Sequence, residues 1–164
     1  MFVGDEVRLP VDFETARVRL QALVRGGLLT AASVDAYSEG ITGLLRVGPP
    51  GLFRVVRVQF TALTDRDNVA GFAMRWEVDG QSAALFPVLD ADLEVVKDGT
   101  AAAWLTFTGS YRPPAGALGQ ALDRAILHRV ASATIKNFLA RIAADLSGVP
   151  AAPAGGPEAH LQVT

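Results

Sequence analysis

The chain has 164 residues, of which 50% are hydrophobic and 20% charged, with a mean hydropathy of +0.29, no cysteine, and a formal charge of −2 from 15 basic and 17 acidic side chains. A length of this order suits one core-bearing unit, and the lack of cysteine excludes a disulfide framework, a thiolate metal site and a cysteine nucleophile. The basic residues are scattered, which argues against the positive surface a nucleic-acid partner requires, and no window offers the roughly 18 uninterrupted apolar residues of a membrane span.

The first residues, Met1-Phe2-Val3-Gly4-Asp5-Glu6, carry acids where a secretory leader carries bases and then an apolar run, so a cytoplasmic protein is expected. Residues 5 to 11 alternate polar and apolar and predict a short strand ended by Pro10. Asp12 is a good N-cap for a helix with Phe13, Ala16, Leu20, Leu23 and Val24 at helical spacing, stopped by Gly26-Gly27. Residues 28 to 39 predict a second short helix ending at Gly40, with its serines and threonine leaving an irregular turn as the alternative.

From Ile41 the chain turns β-branched and aromatic, with regular turn punctuation. Five strand-like runs follow: Ile41 to Val47, Phe53 to Leu63, Val69 to Val78, Leu85 to Val96 and Ala101 to Tyr111. Their connectors are too short for parallel crossovers, so the runs predict an antiparallel meander. Val56, Val58 and Phe60 alternate with Arg57 and Gln59; Phe72, Met74, Trp76 and Val78 alternate with Arg75 and Glu77; Leu89, Ala91, Leu93 and Val95 alternate with Asp90, Asp92 and Glu94. One face of the sheet is therefore apolar and the other charged.

A long helix is expected from Leu118 to Leu146. Leu127, Ala131, Ile135, Phe138, Ile142 and Leu146 form one face, and Leu118, Leu122, Ile126 and Val130 form a second apolar row. The first face clamps the sheet; the second is either an internal contact or a surface for a second copy, which leaves a homodimer open. Residues 1–147 are read as a single domain, and the Pro/Gly/Ala-rich stretch 148–164 as a disordered tail.

The order strand, two helical segments, meander, long last helix resembles the START-like, or SRPBCC, superfamily of polyketide cyclase/dehydrase and lipid-transport type. The likeness covers residues 5 to 147 and is carried by the texture of residues 44–49, 85–92, 109–114 and 122–131, the last reading Leu122-Asp123-Arg124-Ala125-Ile126-Leu127-His128-Arg129-Val130-Ala131. The resemblance implies an α+β helix-grip fold, in which a curved antiparallel sheet of six or seven strands wraps the last helix and leaves an apolar cavity beneath it. Six strands are counted from the sequence against the usual seven, with Pro87 a point where one run divides in two.

The resemblance implies binding or carriage of a small to medium hydrophobic molecule, such as a lipid, isoprenoid or polyketide, with no cofactor and no metal. The alternatives are an aromatase/cyclase-like enzyme using the same cavity, and a protein-interaction or stress-related module with a filled one. Phe60, Phe72, Met74, Trp76, Leu93, Tyr111 and His128 are the expected lining, though most serve equally as plain core. His128, Arg129 and Tyr111 are the weak catalytic candidates. His128 is expected on the sheet-facing side of the helix as a proton carrier or polar anchor, against the favoured plainer reading of a partly buried histidine bonded to backbone. Arg129 could greet an anion at the pocket mouth or form a surface ion pair. Tyr111 could donate to a ligand carbonyl or pack with a wet tip. Asp90, Asp92 and Glu94 share the outer face of one strand and are expected to pair with groups such as Arg75 rather than hold an ion.

Overall fold

The computed structural model describes residues 1–44, 56–78, 87–112 and 124–148. The chain runs β1 (Phe2–Leu9), α1 (Phe13–Arg25), α2 (Leu28–Leu44), β2 (Val56–Arg66), β3 (Val69–Val78), β4 (Val88–Asp98), β5 (Ala102–Arg112) and α3 (Arg124–Ser147). Among the described residues the strands form a five-stranded sheet ordered β1-β5-β4-β3-β2, with every neighbouring pair antiparallel. Strands β2 to β5 are the expected meander. β1 then adds beside β5, from Phe2 opposite Ser110 to Leu9 opposite Ala103. The architecture is the α+β helix-grip arrangement, a curved antiparallel sheet with the C-terminal helix against it.

Local chemistry accounts for the joints. The Asp12 carboxylate caps α1 by accepting from the Thr15 backbone N–H at 2.9 Å and the Thr15 hydroxyl at 2.8 Å, which holds its carboxyl below the usual range. The β2–β3 connection narrows to Asp67-Asn68, and the Asn68 carbonyl accepts from the Lys97 N–H at 2.9 Å. In β2 the pairing shifts register between Thr61 and Leu63, a bulge that bends and twists the strand. At the end of α3, Arg19 of α1 donates to the Leu146 carbonyl at 2.7 Å, satisfying one of the acceptors that a helix C-terminus leaves free.

One expected element differs. The strand predicted from Ile41 is, over residues 41–44, the last turn of α2, which continues through Gly40; residues 45–47 lie outside the described residues. The strand preference of β-branched Ile41 and Thr42 yields to packing, since α2 lies along α3 and extends beyond the glycine. The early half of the predicted last helix, residues 118–123, also lies outside the described residues.

The core sits between the apolar sheet face and the helices. Helix α3 packs mainly along β1 and α2, while α2 also reaches β2 and β3, so the two helices cover the sheet side by side. Phe138 of α3 enters an aromatic cluster, with its ring 5.2 Å from Trp76 and 6.0 Å from Phe107, both edge-on. Ile135, Leu139, Ile142 and Leu146 are buried with it. Phe138→Ala should cost about 3–5 kcal/mol in chemical denaturation, whereas His128→Ala should change stability by less than about 0.5 kcal/mol.

Candidate functional site

The register of the strands arranges the inner face in rows across the sheet. Trp76 stands opposite Val58 and Leu89, and Leu89 opposite Tyr111. The next row is Phe60, Met74, Ala91, Gly109 and Val3; the one after it contains Phe72, Leu93, Phe107 and Asp5. Two bulky rows thus flank a middle row whose centre is Ala91 and Gly109. A Cβ added at Gly109 would lie 2.7 Å from the Ala91 Cβ, so the strands are flush at this point and no larger residue fits without movement. The result is a low floor in the inner face, across which the rings of Trp76 and Phe107 meet at 6.2 Å with Phe138 packed against both.

Helix direction places the floor relative to α3. Leu146 is tied to α1 by Arg19, and Phe138 lies over Trp76 and Phe107. The earlier turns of α3 therefore run toward the end of the sheet that carries Val3, Leu89 and Tyr111. At the opposite end Leu9, Leu93, Val95 and Leu105 are sealed.

Tyr111 lies at this Val3 end. Its backbone is locked, as its N–H donates to the Met1 carbonyl at 2.8 Å and its carbonyl accepts from the Met1 ammonium at 2.9 Å. Its side chain is 4% exposed, and its hydroxyl has no hydrogen-bond partner among the described residues. Burial pushes the phenol above its usual value of 10.0, so it remains a protonated donor at neutral pH. Ser33 of α2 is a second hydroxyl of this kind, fully buried and without a partner among the described residues. Sequence reasoning missed it, although its spacing from buried Leu29 and Ala36 puts it in their apolar row.

The other expected site residues separate into three groups. Met74, Trp76 and Leu93 are buried core, whereas Phe60 and Phe72 are half-buried, edge-to-face at 6.3 Å, and form a partly accessible flank. His128 is solvent-exposed, which corrects its expected place on the sheet-facing side; Arg129 is exposed as well. The helical phase of His128 is that of Ile135, but it lies about 10 Å earlier along the axis, and burial of the sheet-facing row becomes complete only from Ile135.

The charged face behaves as expected. Arg75 bonds Asp90 across the strands at 3.1 Å and Glu77 along its own strand at 2.9 Å, and Arg112 reaches Asp90 at 3.4 Å. A shallow depression of about 430 Å³ on this side is bordered by Arg75, Asp90, Asp92, Thr61, Thr108 and the exposed Phe2. Among the described residues no three His, Asp or Glu side chains gather as a metal site, and no helix is long and apolar enough to cross a membrane.

No protein-family profile and no curated protein sequence matches the chain. Among solved structures it is similar to a conserved protein of Geobacillus kaustophilus, at 13% identity and a TM-score of 0.49, covering 88% of this chain and 94% of that one. It is also similar to a hypothetical protein of Helicobacter pylori, at 13% identity and a TM-score of 0.46 over 86% and 87% of the two chains. A third is the Zhui aromatase/cyclase of a Streptomyces species, at 11% identity and a TM-score of 0.38 over 90% and 92%.

An unpaired buried hydroxyl is a cost to the empty protein. Tyr111→Phe should raise the stability of ligand-free protein by about 1 kcal/mol in urea unfolding near pH 7. The wild type should also lose stability as the pH rises through 10 and beyond, because the unfolded chain ionises this phenol first while the folded state holds its proton. The variant should lack that part of the alkaline loss.

Proposed function

We propose that the protein binds a small to medium apolar molecule between the sheet and its covering helices, beside Tyr111. The observation that carries this reading is the Tyr111 hydroxyl, buried and without a partner among the described residues. A donor removed from water and left unbonded costs on the order of 1–3 kcal/mol, and native interiors rarely keep one without a reason. A ligand oxygen supplies that reason, and the apolar side chains around Tyr111 supply the surroundings for its apolar body.

The half-buried pair Phe60 and Phe72 forms the flank at which such a molecule meets the sheet. Trp76, Met74 and Leu93 act as the rigid wall behind it. Binding works by desolvation of the apolar body, at about 25 cal/mol per Å² of apolar surface removed from water, and Tyr111 sets the orientation. Neither His128 nor Arg129 enters this scheme, since both side chains are in solvent.

Native mass spectrometry of the freshly purified full chain, compared with the same sample denatured and extracted, tests the reading. A discrete extra mass in the native spectrum, recovered as a small hydrophobic molecule on extraction, is the expected result. A bare chain that also fails to take up hydrophobic fluorescent probes overturns it.

A further inference from the structure

We infer that the interior site selects neutral ligands, apolar molecules carrying an uncharged carbonyl, ester or hydroxyl oxygen, and discriminates against their carboxylate counterparts. The inference rests on the ligand-binding reading above and concerns which end of such a molecule the site can hold. Its basis is the character of the polar groups on the inner face.

Tyr111 and Ser33 are buried hydroxyls without a hydrogen-bond partner among the described residues, one on the last strand and one on the helix that covers the β2 and β3 side. Each is neutral and each can donate one hydrogen bond. A carbonyl or hydroxyl oxygen is satisfied by a donor of this kind. A carboxylate is not, because moving an ion out of water demands a paired charge or several donors.

The charges that are present point the same way. Asp5 occupies an inner-face position in β1, opposite Phe107, and is only half-exposed. It accepts from the Glu6 backbone N–H at 2.9 Å and adds no positive charge to the inner face. Arg57 of the edge strand β2, Arg75 of β3 and Arg112 of β5 stand at outer-face positions, and Arg75 and Arg112 are paired with Asp90 there. On the inner-face positions of β2 and β4, Asp65 is exposed and bonded to Arg17, and Lys97 is exposed at the sealed end of the sheet. Among the described residues every buried side chain is uncharged.

Three fluorescent probes of matched size test this on the full chain, stripped of bound small molecules, at pH 8: diphenylhexatriene as hydrocarbon, methyl parinarate as neutral ester and parinaric acid as anion. The ester should bind about tenfold or more tightly than the acid. Tyr111→Phe should weaken the ester about fivefold, the value of one neutral hydrogen bond, and leave diphenylhexatriene within about twofold, which also shows that the variant is folded. Ser33→Ala should shift the ester in the same direction and spare the hydrocarbon. Equal or tighter binding of the acid overturns the inference, as does an equal loss of ester and hydrocarbon in Tyr111→Phe. Hydrocarbon binding without preference for the ester removes the selectivity alone, and failure of all three probes removes the ligand-binding reading with it.

Discussion

The edge-to-face contacts of Phe138 with Trp76 and Phe107 are where the last helix meets the sheet, and the positions of the other elements follow from them. Aromatic rings packed in this way bury large apolar areas in a defined geometry, so α3 has little freedom to slide or roll. With that point held, the Arg19 bond to the Leu146 carbonyl sets the direction of the helix, and α2 lies along the flank of α3 over β2 and β3. The aromatic contact therefore divides the interior. The cluster itself covers the low row of Ala91 and Gly109; toward Leu146 the core is sealed by apolar side chains, and Tyr111 lies at the other end of the sheet.

The division separates a tightly packed core from the end of the sheet that carries Tyr111. Leu93, Val95, Leu105 and Phe107 are buried in one core with Phe138, Leu139, Ile142 and Leu146 of α3 and supply apolar burial that stabilises the fold. Tyr111 and Ser33 are buried as well, but among the described residues their hydroxyls have no hydrogen-bond partner, which costs stability. Local departures from an otherwise consistent core are the features expected where function has overridden stability. The outer face departs in no such way: its ion pairs along Arg75, Glu77, Asp90 and Arg112 are partly exposed and behave as a solvated surface.

Much of this architecture was legible in the residues themselves. Strict alternation in Val69 to Val78 and in Leu89 to Val95 identified the buried face of each strand, since side chains of a strand alternate with a period of two. Asp12 and Gly26-Gly27 marked both ends of α1 by capping chemistry, and short connectors required antiparallel neighbours. The boundary at Ile41 was read wrongly because local β propensity is weak beside tertiary packing, and a glycine within a helix is tolerated when the helix is supported along its length.

Composition and periodicity by themselves determined the fold class, the two characters of the sheet faces and the identity of most core residues, because each depends on neighbours close in sequence. Only the tertiary structure decided that His128 is in solvent although its helical phase matches Ile135, since exposure depends on where along its axis a helix meets the sheet. It also brought Ala91 beside Gly109 and left the Tyr111 hydroxyl without a partner among the described residues, facts of cross-strand register and burial that no single stretch contains. Helical spacing predicts which residues share a face; what that face touches is set by elements remote in the chain.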